Sequence, residues 1–286
     1  LFEHKTSIGD YAVSADGETL YFVAREKGED RKKLAGKGFN AYAYEEGQKM
    51  AAAWTVSLSG DNAKAKKLFD DKHVTSLELS PDGKSLVVTA VPTTLVDDDL
   101  MKKRLHVLSA ETGRVKSIVE TPGKLGGYVI SPDSRRIAFH AGTDIHDTSD
   151  GVLMLADMDD GSFTQLTPDA LQHIVDVEWL DKNSILTVAH RGVESAVVTY
   201  NLSGEEEKTH STPDDIVVRD VTVRNQGKLF FTADGPAHPR EIFSTSWRGL
   251  DQLSNHNAWL EDIDLAPQTT FTYEARDGRE IEGLLI

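Results

Sequence analysis

A hairpin pattern that recurs five times along the chain constrains its fold more than any other feature. Each copy is an alternating apolar run, a short polar turn and a second β-rich run that ends on alanine. The copies read YAVSADGETLYFVA, LELSPDGKSLVVTA, YVISPDSRRIAFHA, VEWLDKNSILTVA and VTVRNQGKLFFTA, ending at Ala24, Ala90, Ala141, Ala189 and Ala233. Alternation around a polar turn predicts two antiparallel strands. In Ser80-Pro81-Asp82-Gly83, proline and glycine occupy the positions that a type I turn prefers.

A second hairpin with a glycine-containing turn follows each copy. These second hairpins begin at Trp54, Leu105, Leu153, Val197 and Ile242. Two hairpins make four strands, which is one blade of a β-propeller. The turn residues Asp82, Asp133, Asp181 and Asn225 recur at intervals of 51, 48 and 44 residues, near the ~40–50 residues typical of propeller repeats. We therefore predict an all-β fold, a β-propeller of four-stranded antiparallel blades with about five blades visible.

Both ends of the chain depart from the repeat. Leu1 and Phe2 match the start of an internal join, LFDDKH from Leu68, and are predicted to form the outer strand of an incomplete blade. At the other end, TFTYEARDGREIEGLLI contains an Asp277-Gly278 turn, a strong hairpin signal. This last hairpin stops in an apolar run, so we interpret the chain as a fragment cut at both ends.

The exit from the repeats resembles the prolyl oligopeptidase family of serine peptidases, best in its acylaminoacyl-peptidase and dipeptidyl-peptidase branches. The resemblance rests on the SPDG turns, the LSNHN exit and the final Y-x-A-R-D-G-R-E-I-E-G strand pair. It implies a propeller of seven or eight blades that caps a C-terminal α/β-hydrolase domain of the same protein. The implied organisation is blades over 1–254, incomplete at the N-terminus, a linker over 255–269, and the first hydrolase hairpin over 270–286.

The family's activity is cleavage of short peptides by a serine held in a G-x-S-x-G turn, with an aspartate and a histidine later in the chain. No G-x-S-x-G occurs in residues 1–286. The resemblance thus places the whole triad beyond Ile286, and we assign no catalytic residue and no cofactor here. For the present chain, the resemblance implies a substrate-gating propeller whose partners are peptide substrates and the hydrolase domain.

Glu45 and Glu46 are the candidate substrate-binding residues. They end an insertion, residues 25–52, that interrupts the first blade. The pair resembles the glutamates with which dipeptidyl peptidases hold a substrate's α-amino group, and two carboxylates bind an ammonium through charge-assisted hydrogen bonds. The alternative is that this mixed-charge insertion is a solvated surface loop or helix.

Two further polar clusters and the tryptophans have structural explanations. Residues 140–150, HAGTDIHDTSD, hold histidines and carboxylates that suit a metal, but they lack regular ligand spacing, so we predict a loop and no metal site. Asp97-Asp98-Asp99 followed by Lys102-Lys103-Arg104 predicts a short helix with favourable end charges rather than a calcium site. Trp54, Trp179 and Trp247 lie in predicted strands, where core packing is expected.

Composition limits the remaining partners. The net charge of −16, from 31 basic and 47 acidic residues, disfavours nucleic-acid binding, which needs cations that neutralise phosphates. No apolar run approaches the ~20 residues that span a bilayer, so we expect a soluble protein that does not insert in membranes. The absence of cysteine leaves the compartment open between cytoplasm and periplasm. An incomplete ring exposes apolar sheet faces, and self-association into a homo-oligomer is expected from them.

Two alternatives to a peptidase propeller stay open. One is a TolB-like propeller that acts as a protein-binding module without chemistry, because the blades carry no recognisable catalytic group. The other is a propeller enzyme with its own axial site. That enzyme would need carboxylates or histidines repeating at one blade position, and the aligned hairpins show none.

Overall fold

The structure is a computed structural model, and it describes most of the chain. The described residues are all those outside positions 1, 29–30, 42–46, 60–62, 147–150, 169–170, 211, 213–215, 225–227 and 247–248. In this part of the chain, twenty-two strands form five four-stranded antiparallel sheets and one two-stranded pair. The predicted all-β architecture of repeated double hairpins is confirmed.

The five sheets follow one another along the chain, and each uses its four strands in sequence order. Sheet 1 contains β1 (Ile8–Val13), β2 (Thr19–Arg25), β3 (Ala51–Ser57) and β4 (Lys66–Phe69). Sheet 2 contains β5 (His73–Leu79), β6 (Ser85–Val91), β7 (Arg104–Ser109) and β8 (Val115–Val119). Sheet 3 contains β9 (Leu125–Ile130), β10 (Arg136–Ala141), β11 (Val152–Asp157) and β12 (Phe163–Gln165).

The remaining strands repeat the pattern and then change it. Sheet 4 contains β13 (His173–Trp179), β14 (Ser184–Arg191), β15 (Glu194–Asn201) and β16 (Glu206–His210). Sheet 5 contains β17 (Val217–Arg224), β18 (Lys228–Gly235), β19 (His238–Ser246) and β20 (Gly249–Gln252). The pair is β21 (Thr269–Glu274) with β22 (Glu280–Leu285), joined at the predicted Asp277-Gly278 turn.

Helices in the described residues are short. They are α1 (Arg31–Ala35), α2 (Val96–Met101) and one turn of 3₁₀ helix (Ala258–Asp262). The helix predicted at the Asp97–Asp99 run is confirmed as α2. None of the helices described has the length and apolar character needed to cross a bilayer.

The polar turns close the hairpins through side chains as well as backbone. In sheet 2, the N–H of Gly83 donates to the carbonyl of Ser80 at 2.8 Å, and the Ser80 hydroxyl donates to the Asp82 carboxylate at 2.7 Å. The same carboxylate accepts from the N–H of Lys84 at 3.0 Å. An aspartate that accepts from the backbone two residues on stabilises a turn locally. The recurrence of Asp at this turn position therefore has a local physical cause.

The chain divides into two compact units, each with its own apolar core. Unit 1 comprises Leu1–Leu125, Asp133–Arg136 and Ala156–Phe163, and unit 2 comprises Gly126–Pro132, Ile137–Leu155 and Thr164–Ile286. In unit 1, side chains of sheets 1 and 2 share a core that includes Tyr21, Phe69, Leu77 and Leu86. In unit 2, one core joins sheets 3 and 4, including Leu153, Ile174, Trp179 and Tyr200, and another joins sheets 4 and 5, including Leu186, Val197, Phe231 and Phe243. Each fully buried side chain of this size contributes about 1.5–3 kcal/mol by leaving water.

Glycines in the outer turns set how closely successive sheets approach. Gly113, Gly161 and Gly204 each occupy the turn between the third and fourth strands of their sheet, with φ of 74°, 76° and 84°. A Cβ at these positions would lie 2.0 Å, 2.3 Å and 2.1 Å from the carbonyl oxygens of Leu68, Ile118 and Leu166 respectively. Each carbonyl belongs to the end of the preceding sheet. Only glycine satisfies both the left-handed backbone and this contact.

Leu1 lies outside the described residues, and Phe2 does not form the predicted outer strand. Residues 2–4 have no strand pairing, and the Phe2 ring instead packs on Phe22 with ring centroids 5.5 Å apart. Phe22 belongs to a small cluster of sheet 1 with Ala24 and Val56. The prediction was wrong because a strand needs a neighbouring strand to satisfy its backbone groups. The segment packs instead through the side chains of Phe2 and His4, whose rings contact Phe22.

Candidate functional site

A cleft of about 990 Å³ lies among the described residues of unit 1. Its walls come from the connections that follow the second strands of sheets 1 and 2, together with the starts of β3 and β5. The lining residues are Thr6, Ser7, Gly9, Val23, Ala24, Arg25, Glu26, Gly28, Gly47, Lys49, Ala51, His73, Val74, Thr75, Thr94, Leu95, Val96, Asp99, Leu100 and Lys103. The volume is at the upper end of the ~300–1,000 Å³ that ligand pockets occupy.

Helix α2 forms one wall and is fixed by its own carboxylates. Asp98 is buried and accepts from the Thr93 hydroxyl at 2.6 Å and from Lys102 Nζ at 2.7 Å. These contacts, with Lys102 the stronger, hold the pKa of Asp98 below its ordinary value. The aspartates that sequence patterning assigned to a helix therefore stabilise α2, and its apolar side chains face the cleft.

His73 lies at the cleft as a structural acceptor. Its Nδ1 accepts the backbone N–H of Ala51 at 2.8 Å, and burial lowers its pKa. His173 has the same position in sheet 4 and accepts the N–H of Gly151 at 2.7 Å. Both histidines begin the first strand of a sheet and bind the backbone beside the third strand of the preceding sheet. This repeated role makes His73 a link between sheets rather than a free base.

Glu45 and Glu46, the substrate-binding candidates, lie outside the described residues. Two neighbours in the same insertion, Gly47 and Lys49, line the cleft. The insertion begins after β2 ends at Arg25 and carries helix α1 before β3. The substrate-anchoring role of the glutamates stays a prediction.

The histidine-rich segment after β10 has local hydrogen bonds where it is described. His140 Nε2 accepts the N–H of Gly127 at 2.7 Å, and burial, with His173 nearby, lowers the pKa of His140 to about 4. The Asp144 carboxylate accepts the N–H of His146 at 2.7 Å. Residues 147–150 lie outside the described part of the chain. Among the residues that are described, no group of three or more His, Cys, Asp or Glu could hold a metal.

Trp54 and Trp179 pack within the sheets. Trp54 Nε1 donates to the carbonyl of Ala24 at 3.0 Å, and Trp179 Nε1 donates to the carbonyl of Val129 at 3.1 Å. Trp179 is buried in the core of unit 2. Trp247 lies outside the described residues.

Carboxylates do recur at one blade position, which corrects the sequence analysis. Pairing between the first two strands is irregular at the same place in sheets 1, 4 and 5, and Asp10, Asp176 and Asp220 lie there. Asp10 accepts the N–H of Leu77 at 2.9 Å, and Asp176 accepts the N–H of Val221 at 2.8 Å. Hairpin alignment missed them because a bulge adds a residue and shifts the register. Two of the three thus bind the next sheet's backbone, which is a structural use.

Burial perturbs the inner carboxylates of unit 2. It raises the pKa of Asp176 from 3.8 to about 6, and the charge of Asp220 adds to the effect. It also raises the pKa of Glu178 on the same strand. Perturbed carboxylates are candidates for function, but the backbone contact of Asp176 gives this one a structural explanation.

The final hairpin docks on sheet 4. The Glu282 carboxylate accepts the N–H of Val193 at 2.9 Å, in the turn between β14 and β15. Gly192 in that turn has a φ of 62°, and a Cβ there would lie 1.8 Å from the Glu282 carboxylate. Much of the hairpin's apolar surface stays open, including Tyr273, Leu284, Leu285 and Ile286.

Comparisons with known proteins identify the fold. No protein-family model and no curated protein matches this sequence. Among solved structures, the crystal structure of a puromycin hydrolase is similar with a TM-score of 0.66 at 18% identity, covering 96% of this chain and 42% of that one. A puromycin-hydrolyzing peptidase of Mycobacterium tuberculosis is similar with a TM-score of 0.69 at 14% identity, covering 98% of this chain and 43% of that one. The chain spans less than half the length of these proteins, and the likeness confirms that its sheets are those of a β-propeller.

Proposed function

We propose that this chain is the substrate-gating propeller of a serine peptidase that cleaves short peptides. The supporting observation is its likeness, over nearly its whole length, to two puromycin-cleaving proteins more than twice as long. The bond cleaved in puromycin is an amide formed by an amino acid whose α-amino group is free. An aminopeptidase attacks a bond of that kind, whereas the acylaminoacyl-peptidase and dipeptidyl-peptidase types cleave the amide after an acylated residue or after the second residue of a chain.

In this proposal the catalytic serine, histidine and aspartate belong to a hydrolase domain that begins near residue 270 and continues past residue 286. The serine, deprotonated by histidine, attacks the scissile carbonyl, the amine leaves, and water releases the acyl group. The propeller, over residues 1–254, covers that site and admits only chains that fit its openings. The docking of the final hairpin through Glu282 and Val193 supports a fixed junction between the two parts.

We further propose that Glu45 and Glu46 hold the substrate's free α-amino group. Gly47 and Lys49 line the cleft, which gives the insertion access to a ligand-sized space. Because a hydrogen bond to a charged group is worth about 1.5–3 kcal/mol, replacing both glutamates by glutamine is expected to raise KM for puromycin by roughly 10- to 100-fold. An N-acetylated peptide, which has no ammonium, should show no change.

The test uses the full-length protein that contains this chain. A fluorophosphonate probe should label one serine and abolish puromycin hydrolysis. The control for the glutamate variant is Glu111→Gln, which removes a carboxylate from an exposed turn of sheet 2. It should leave the KM for puromycin unchanged. A protein that neither reacts with the probe nor cleaves puromycin or peptides would contradict the proposal and favour the non-catalytic, TolB-like binding module.

A further inference from the structure

The cleft of unit 1 is lined by two cations that form no ion pair with a described residue. Of its acids, Glu26 pairs with Lys67 at 2.7 Å, and Asp99 pairs with Lys103 at 3.1 Å. Arg25 and Lys49 also line the cleft and form no ion pair within the described part of the chain. Within the described residues, the cleft thus presents two exposed cations without an ion-pair partner, in a protein whose net charge is −16.

The two cations are brought together by the pairing of β2 with β3. The register places Arg25 opposite Ala51, and Lys49 lies two residues before Ala51. Both side chains are exposed, so the hydrogen-bond donors of each are accessible to a ligand. An anion between them would meet the planar fork of a guanidinium and a mobile ammonium.

The wall of the cleft also has an apolar part. Leu95, Val96 and Leu100 are 37%, 55% and 52% exposed and line the same cleft. They flank or belong to α2, which Asp98 anchors through Thr93 and Lys102. A preformed apolar wall next to two exposed cations fits a ligand that is apolar along its body and anionic at its end.

We propose that this cleft binds the free C-terminal carboxylate of a short peptide that ends in an apolar residue. Arg25 grips the carboxylate with two parallel hydrogen bonds, Lys49 adds a third charged donor, and the last side chain lies on Leu95, Val96 and Leu100. The inference rests on the proposed peptidase function and narrows its substrates. A peptide must then be short, because its end is held a fixed distance from the scissile bond.

Binding to the full-length protein tests the proposal without requiring turnover. The probes are acetyl-Ala-Ala-Leu with a free carboxylate, its C-terminal amide, and acetyl-Ala-Ala-Glu amide, each titrated calorimetrically with peptide integrity checked by chromatography. The free acid should bind about tenfold more tightly than the amide, as expected for a charge-assisted bidentate contact. The glutamate amide distinguishes a terminal carboxylate from a side-chain carboxylate, and it should bind no more tightly than the leucine amide.

Variants locate the contact. R25Q should reduce the acid-to-amide preference to less than about twofold, and K49Q should reduce it partly. R114Q removes the same charge from an exposed turn of unit 1 outside the cleft and should keep the preference. L100S should weaken binding of acid and amide alike and leave their ratio unchanged. Thermal melts matching the wild-type protein establish that these surface changes leave folding intact.

Three results would overturn the inference: equal affinity for acid and amide, an R114Q effect as large as that of R25Q, or a glutamate amide that binds as tightly as the acid. Failure of the peptidase proposal is seen separately, as absence of fluorophosphonate labelling and of peptide cleavage. A protein that cleaves peptides but shows no carboxylate preference retains the proposed function and loses this inference. A protein that prefers the acid but shows no cleavage retains the site and loses the function.

Discussion

Replacing Asp176 by asparagine should stabilise the protein at neutral pH. Asp176 lies at the bulge of β13, and its Oδ2 accepts the N–H of Val221 on β17 at 2.8 Å. Burial, assisted by Asp220, raises the pKa of its carboxyl from 3.8 to about 6. At pH 7 the folded protein therefore holds a charge that its surroundings disfavour. The amide oxygen of asparagine can accept the same hydrogen bond without that charge.

The sign and the size of the effect follow from linkage. Because the folded-state pKa is above the unfolded one, the contribution of Asp176 is fully present below pH ~4 and is lost as pH rises through about 6. A difference of roughly two pKa units, at ~1.36 kcal/mol per unit, amounts to about 2–3 kcal/mol. The Asp176→Asn variant cannot ionise at this position and does not lose this free energy of unfolding. The difference in unfolding free energy between the variant and the wild-type protein should therefore rise by about 2–3 kcal/mol between pH 4 and pH 7.5.

Urea unfolding of both proteins at half-unit pH steps measures this difference. Tryptophan fluorescence is a suitable signal, since Trp179 is buried on the same strand. Asp220→Asn removes one cause of the raised pKa, so it should narrow the pH window over which wild-type stability falls. A stability difference between Asp176→Asn and wild type that stays constant with pH, or a mutant less stable at pH 7.5, would refute the reasoning.

Two glycine substitutions test how the sheets and the final hairpin are held. Gly161→Ala should lower the free energy of unfolding by about 1–3 kcal/mol, because the added Cβ meets the Ile118 carbonyl and the backbone there is left-handed. The matched control in urea unfolding is Gly17→Ala, whose backbone is equally left-handed but whose Cβ would lie in open space. Equal losses of stability in the two variants would contradict the packing argument. Gly192→Ala should displace the Glu282 carboxylate and speed amide hydrogen exchange across 269–285, and unchanged exchange there would exclude the contact as an anchor.

Local patterns in the sequence were sufficient to predict the sheets and their turns. Alternation and the Ser80–Gly83 type of turn depend only on neighbouring residues, so all five double hairpins and the hairpin at Asp277-Gly278 were predicted correctly. The helix at Asp98 was predictable for the same reason, since its ion pairs with Lys102 span one turn. Phe2 was not, because strand formation depends on whether a partner strand lies beside it.

The cleft and the links between sheets could not be read from local pattern. Arg25, His73 and Leu100 meet because two connections distant in sequence come to the same place, which depends on how sheets stack rather than on alternation. The bulge that holds Asp176 shifts register by one residue, and an ungapped alignment hides it. One usable signal was overlooked: His73 and His173 both precede the first strand's apolar run. A shared polar residue at that point indicates a backbone contact to the preceding sheet.

The outer-turn glycines have a consequence for how such a chain varies during evolution. Gly113, Gly161 and Gly204 each touch a main-chain carbonyl of the sheet before them rather than a side chain. A carbonyl is the same whatever residue carries it, so the preceding sheet is free to change its sequence without losing the fit. A duplicated blade that keeps its glycine can make the same contact with the main chain of any blade that precedes it. Repeats joined in this way can diverge almost beyond recognition while their stacking stays the same.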